Sequence, residues 1–354
     1  MLVTHSGREF SRVAGGNPPR TKSVASGAVQ TPALVVDLAA VEHNIRTMAE
    51  ARPGSGLRPH VKAHKCTSLA RLQRDLGGHT GFTCATIREV EGMAAAGLGD
   101  DLLLANEVLD CTRLGALTDT ARITVAVDSE ETIAAAARGG VEEVLIDVNV
   151  GLPRCGCDPD DAGRLADRAR QRGLTVRGVM GYEGHATAVH SREGRQVVVD
   201  KAMHRLRRAH EQVGGDVISA GSTVTYDLNT VATEIQAGSY VLMDTYFAPM
   251  APAFRQALHL ELTVISVGVG SAYAVADGGL KCLGMDHGPP AMDDGSEVLI
   301  VSDEHLTFRP TTPGTKVGDR IHVRPAHVDP TVAYHDRLHV AGTDETWAVD
   351  LRGW

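Results

Sequence analysis

Lys62 sits in the run Arg58-Pro59-His60-Val61-Lys62-Ala63-His64-Lys65, at the end of a short apolar stretch, Leu57–Val61, that reads as a strand. Two imidazoles and a second lysine crowd its amine. Neighbouring cations lower a lysine's affinity for its proton, and a neutral amine attacks aldehydes to form a Schiff base. The plain alternative is a basic loop after a strand. A second pair of chemical groups lies far along the chain, in Pro325-Ala326-His327-Val328-Asp329-Pro330. Read as a strand, this run puts His327 and Asp329 on one face, because residues two apart share a side. An imidazole with a carboxylate suits Mn²⁺, Mg²⁺ or Zn²⁺, and two protein ligands leave positions open for water and a substrate oxygen. His-x-Asp pairs also arise by chance in structural contexts.

Three further stretches carry polar groups on small-residue turns. Asn149–Gly156 presents Arg154 beside glycines, where a guanidinium can donate to a phenolate oxygen. Tyr182-Glu183-Gly184-His185 offers a phenol and an imidazole. Ser219–Thr225 contains Gly221, Ser222 and Thr223, whose amides and hydroxyls can cradle a phosphate. Each has a structural alternative: a solvated arginine, packed barrel-top residues, an ordinary turn.

The elements that must position these groups alternate. Strand candidates are Leu34–Val36, Pro59–Val61, Phe82–Cys84, Leu102–Leu104, Ile123–Val127, Val144–Val148, Val176–Met180 and Val217–Ser219. Between them fall helix candidates such as Ala40–Ala51, Ser68–Leu76, Ile87–Ala96, Glu130–Arg138, Asp160–Arg172 and Arg195–Val213. Short connections between alternating strands and helices mean a parallel sheet, and about eight units predict a closed (β/α)8 TIM-like barrel with function at the C-terminal strand ends. An open doubly wound sheet is the alternative, but no GxGxxG follows the first strand. After Phe254 the texture becomes short strand-like runs split by Gly, Pro and Asp, without convincing helices, which predicts an all-β domain. The expected organisation is an N-terminal arm at 1–30 that can join the β domain, a barrel at 31–254, and the β domain with the metal pair at 255–354.

The 354 residues carry a net charge of −9, which argues against nucleic acid or an anionic membrane as partner. No apolar run reaches a membrane span, and residues 1–30 do not read as a secretory signal. The six cysteines form no CxxC pair, so reduced thiols in a cytoplasmic protein are expected. Cys155-Gly-Cys157 reads as loop.

These pieces together resemble the fold-type III pyridoxal-phosphate enzymes, and more narrowly the group of D-threonine aldolase, 3-hydroxy-D-aspartate aldolase and D-serine dehydratase. The likeness runs from Thr31-Pro32-Ala33-Leu34-Val35-Val36-Asp37 to His327-Val328-Asp329-Pro330-Thr331-Val332. The octapeptide around Lys62, Tyr182-Glu183-Gly184-His185, Ser302-Asp303-Glu304-His305 and the final His-x-Asp carry it. The resemblance implies an alanine-racemase-like barrel (here 31–254), a homodimer, and a small-molecule β-hydroxy-D-amino acid as substrate. It makes Lys62 the lysine that holds pyridoxal 5'-phosphate, Arg154 the contact to the cofactor's O3′, Tyr182 a ring neighbour, Gly221, Ser222 and Thr223 the phosphate loop, and His327 and Asp329 the metal ligands. His64 is taken as base for the substrate hydroxyl. Ala63 and Val224 depart from the family pattern, which usually has threonine at the first and a small residue or proline at the second.

Such a site can break Cα–Cβ, giving glycine and an aldehyde, or expel the hydroxyl, giving a keto acid and ammonia. In the family, dehydratases tend to carry cysteine where Asp329 stands, and aldolases aspartate. A carboxylate is the harder donor, suited to Mn²⁺ or Mg²⁺, so aldol cleavage is expected and dehydration is the alternative. A non-catalytic pyridoxal-phosphate carrier or a racemase would leave the metal pair without a purpose.

Overall fold

The computed structural model describes residues 21–22, 29–311 and 313–354. Most of the expected arm at 1–30 lies outside the described residues; Thr21–Lys22 pairs antiparallel with Glu345–Ala348 in the C-terminal sheet.

Seven parallel strands run in chain order: Gly81–Cys84, Asp101–Leu104, Ile123–Val127, Glu143–Asp147, Thr175–Gly181, Val217–Ala220 and Glu234–Ile235. Residues 57–60 close them into a barrel. Leu57 bridges Ile235 and His60 bridges Thr83, both parallel, with Arg58 N–H donating to the Ile235 carbonyl and Thr83 N–H to the Pro59 carbonyl. The (β/α)8 expectation holds, with two changes of membership. Leu34–Val36, expected as the first barrel strand, is observed as Ala33–Val36 and lies in the other sheet. The eighth place is filled by Glu234–Ile235, two residues too short to register as a strand from sequence.

Buried side chains of strands and helices meet inside and around the barrel, as at Phe82, Leu104, Val125 and Ile146. The helix Leu38–Ala51 precedes the first barrel strand. Asp37 caps it by accepting from Ala40 N–H at 3.1 Å. Val41, Ile45 and Met48 repeat at helical spacing and are buried; each contributes roughly 1.5–3 kcal/mol of transfer free energy.

The second sheet is built on Leu258–Val267, whose alternate residues Leu258, Leu260, Leu262 and Val264 are fully buried. It pairs antiparallel with Ala33–Val36, with Arg320–Arg324 and with Ala274–Ala276. Ala33–Val36 also pairs in parallel with Arg337–Val340. The expectation of a helix-free region after Phe254 fails at one place: Val328–Tyr334 is a helix. His327 is its extended N-cap residue, Asp329 lies in its first turn, and Pro330 follows, where a missing N–H costs no helical bond. His327 and Asp329 therefore start a helix and do not alternate along a strand. No described helix is long and apolar enough to cross a membrane.

Candidate active site

A cavity of about 660 Å³ opens at the C-terminal ends of the barrel strands and extends to the helix Val328–Tyr334. Lys62, Arg154, Tyr182, Gly221, Ser222, Thr223, His327 and Asp329 all line it. Eight positions spread over 268 residues of sequence thus converge on one space. His64 does not reach it. Its ring is fully buried, Nε2 3.1 Å from Gln73 Oε1 and Nδ1 accepting from Cys66 N–H at 3.2 Å.

Lys62 lies in the short turn Val61–Ala63, where its N–H donates to His60 Nδ1 at 3.4 Å. Its side chain opens into the cavity. The expected depression of its pKa is overturned: the pKa is raised. The Asp329 carboxylate is the main cause and outweighs burial. The crowding cations are themselves neutralised. Burial and then Lys62 push His60 well down, burial lowers His64 to about 4, and Lys65 forms an ion pair with buried Glu89.

Asp329 is the reciprocal partner. Burial opposes its charge, yet Lys62, His327 and His60 together hold its carboxyl well below the usual range. His327 Nε2 lies 3.6 Å from Asp329 Oδ2, and His327 Nδ1 is 2.7 Å from Asp286 Oδ2. A carboxylate on the far nitrogen fixes a ligand imidazole's tautomer. Asp329 Oδ1 is buried with no hydrogen-bond partner, as is Nδ1 of His287, whose ring stacks on His327 at 4.0 Å and 12°. Orphaned buried acceptors at a cavity wall require an explanation, and a divalent cation fits this donor set. Asp286, His287 and His327 also bring one donor atom each within 4.8 Å of one another. Asp286 is exposed and already bonded to His327, whereas His327 and Asp329 are only partly exposed.

The loop end of the cavity, around Gly221 and Gly238, is equally well formed. Gly221 has φ 89°, and a Cβ there would lie 2.8 Å from Ile235 Cδ1. At Gly238 a Cβ would come 2.7 Å from the His60 carbonyl. Among the described residues the N–H groups of Thr223, Gly238 and Ser239 find no acceptor, whereas Gly221 N–H is taken by Glu183 Oε2 at 3.1 Å. A cradle of free amides beside glycines fits a phosphate. Glu183 Oε1 also accepts from Thr225 Oγ1 at 2.8 Å, so this buried carboxyl braces the loop. Val224 packs its side chain into the second core and offers its carbonyl to Arg195, so its departure from the family pattern leaves the donors alone. The Arg154 guanidinium lies 5.2 Å from the Tyr182 ring centroid, a cation–π distance.

Sequence reasoning missed several groups. Gly238 and Ser239 carry no phosphate motif. Glu183 stood inside a quoted motif with no role. Asp286, His287 and Phe247 come from segments with no visible link to His327. Asp147 ends its strand on the cavity wall, and burial with the neighbouring Glu107 carboxylate pushes its pKa well up. Burial, Glu107 and Asp147 push Cys155 to about 12, and burial and Asp147 do the same to Cys157, so neither thiol is poised to bind metal.

Residues 36–245 match the family described as alanine racemase, N-terminal domain, and residues 257–341 match the putative serine dehydratase domain. The D-threonine aldolase of Arthrobacter sp is 32% identical over 95% of this chain and 96% of its own length. The 3-hydroxy-D-aspartate aldolase of Paracoccus denitrificans (strain Pd 1222) is 30% identical over 96% of both. The crystal structure of D-threonine aldolase from Filomicrobium marinum superposes with a TM-score of 0.86 at 30% identity, covering 96% of this chain and 99% of that one.

Proposed function

This chain belongs to the alanine racemase-like, pyridoxal-phosphate-dependent family with a serine dehydratase-like domain behind the barrel, and on that premise we propose that it is a metal-assisted lyase that cleaves β-hydroxy-D-amino acids to glycine and an aldehyde. The observation that carries this reading is the convergence of Lys62, His327 and Asp329 on one cavity, the Asp329 carboxylate keeping a buried oxygen free.

Lys62 would hold the cofactor's aldehyde carbon. Arg154 would donate to its phenolic oxygen, Tyr182 would lie against the ring, and Thr223, Gly238, Ser239 and the Ser222 hydroxyl would hold its phosphate. His327 and Asp329 would bind the cation, with Asp286 keeping Nε2 of His327 free to ligate. When bound, pyridoxal phosphate withdraws electrons from the α-carbon and the cation acidifies the β-hydroxyl. The protein's part is to hold that hydroxyl beside Asp329 and to return Lys62 as proton carrier at the α-carbon. Asp329 as an oxygen donor supports Mn²⁺ or Mg²⁺, and with it aldol cleavage over loss of water. In this reading the protein works as a cytoplasmic homodimer, which light scattering tests.

The deciding experiment incubates purified protein, pyridoxal phosphate and Mn²⁺ with D-threonine. Glycine and acetaldehyde are expected. A keto acid with ammonia would make it a dehydratase, and neither product from any β-hydroxy-D-amino acid sinks the reading.

A further inference from the structure

We propose that the segment Val349–Trp354 is a strap that holds the turn carrying Lys62, with Asp350 as a positioning residue for that lysine. The inference deepens the reading above, in which Lys62 holds the cofactor.

The turn Val61–Ala63 runs directly into Lys65, whose backbone is left-handed at φ 47°. A non-glycine residue keeps that conformation only where its surroundings over-determine it. Lys65 has three anchors. Its N–H donates to the Val61 carbonyl at 2.7 Å, and its ammonium pairs with buried Glu89. The third anchor is the strap: Leu351 N–H donates to the Lys65 carbonyl at 2.9 Å.

The helix after the turn, Thr67–Gly77, starts at Cys66, which supplies no side-chain cap. The first N–H groups of a helix need an acceptor from outside it. Asp350 provides one from 283 residues away. Its Oδ1 accepts from Thr67 N–H at 2.9 Å and its Oδ2 from the Thr67 hydroxyl at 2.6 Å. A carboxylate at this end also suits the helix dipole. Arg88 donates to the Asp350 carbonyl at 3.0 Å.

The strap is itself fixed on both sides of Asp350. Val349 is buried in the second core and Leu351 in the core of the barrel. Leu351 fills the space that Gly92 leaves in the helix Ile87–Ala95, where a Cβ would lie 2.2 Å from its Cδ2. Gly353 and Trp354 then reach the cavity wall. Released from the strap, Lys65 can leave its strained conformation. Only molecules with the turn in place present Lys62 to the cofactor, so the apparent affinity falls with their fraction.

The test strips pyridoxal phosphate from the holoenzyme and follows its return by absorbance. Borohydride reduction and peptide mass then locate the adduct. Asp350→Ala is expected to weaken the cofactor by about fivefold or more, the worth of a lost cap. Asp350→Asn keeps an acceptor oxygen for Thr67 N–H and should return the affinity to within about twofold of the parent. As a control, Asp37→Ala removes the cap of Leu38–Ala51, away from the cavity. It should lower the urea midpoint by a similar amount and leave the affinity unchanged. Hydrogen exchange of the apoprotein over residues 61–70 should quicken by about tenfold in Asp350→Ala and stay at the parent rate in Asp37→Ala. Parent-like affinity or exchange in Asp350→Ala, or an equal loss of affinity in Asp37→Ala, overturns the strap while the cofactor reading stands. An Asn variant as weak as Ala assigns the effect to charge and overturns the positioning role. No adduct at Lys62 in the parent overturns the cofactor reading, and hydrogen exchange over 61–70 then still decides the strap.

Discussion

At the N-terminal end of the barrel, Arg58 donates at 2.8 Å both to Glu234, on the last strand, and to Asp101. Arg177 holds the other oxygen of Asp101 at 2.8 Å. At the C-terminal end, Asp329, Glu107 and His287 each keep a buried polar atom without a partner, and three backbone N–H groups point at no acceptor. The same fold thus locks its carboxylates to arginines at one end and gathers unpartnered polar atoms around a cavity at the other. Satisfied charges hold the ring of strands shut; open ones are kept for a visitor. Strain follows the same division. Lys65 (φ 47°), a non-glycine residue with left-handed backbone, lines the open end.

The largest expected effect comes from the open end. Lys62→Ala should remove the visible absorbance of bound pyridoxal phosphate and cut activity by at least about 10⁴-fold, read by spectrum and aldehyde assay. Absorbance that persists unchanged breaks the assignment of this end as a cofactor site. Next, Asp329→Ala should lower metal-stimulated activity by about 10²–10³-fold and weaken Mn²⁺ binding in calorimetry. If EDTA-sensitive activity survives the change, the cation sits elsewhere.

At the closed end the reverse pattern is expected. Asp101→Ala leaves Arg58 with Glu234 and Arg177 with Glu143 and Thr124, and should cost about 1.5–3 kcal/mol in denaturant unfolding, with turnover per folded molecule nearly unchanged. A large loss of turnover at full stability would erase the contrast between the ends.

A pH dependence also separates the two regions. Buried, neutral His64 has a folded pKa of about 4 against an ordinary 6.5. The unfolded chain therefore binds the extra proton first, so stability from this group is full above pH 6.5 and falls by on the order of 3 kcal/mol as pH drops to about 4. Asp101 shifts the other way: burial opposes its charge, but hydrogen bonds and charge from Arg177 and Arg58 hold its pKa well down. Its contribution is lost only below the ordinary carboxylate range, near pH 4. Urea midpoints for the parent and His64→Asn between pH 7 and 4 check this. A variant whose slope matches the parent's removes His64 from the account.

Much of this was legible in the residues. The strand–helix alternation reads clearly because most barrel strands carry a short apolar run such as Leu102–Leu104 or Ile123–Val127, and Lys62, Arg154, Tyr182, the Gly221 loop, His327 and Asp329 do share one cavity. What failed did so for physical reasons. Ala33–Val36 is as apolar as Leu102–Leu104, and periodicity does not say which sheet an apolar run joins. His327-x-Asp329 was read with a strand's period, although Asp329 and Pro330 are first-turn helix signals. The pKa of Lys62 was judged from its sequence neighbours, yet the decisive charge comes from 267 residues away. Glu183 and Phe247 act through contacts that no local spacing encodes.

The placement of Ala33–Val36 also bears on how the molecule is made. Its sheet neighbours, Leu258–Val267 and Arg337–Val340, emerge from the ribosome roughly 220 to 300 residues later, a wait of roughly 10–60 s at ordinary elongation rates. Through that interval one of the earliest strands keeps both edges open, the condition under which chains stick to one another. Neither half of the protein can be cut free as an intact unit, because its first strand is completed only by its last domain.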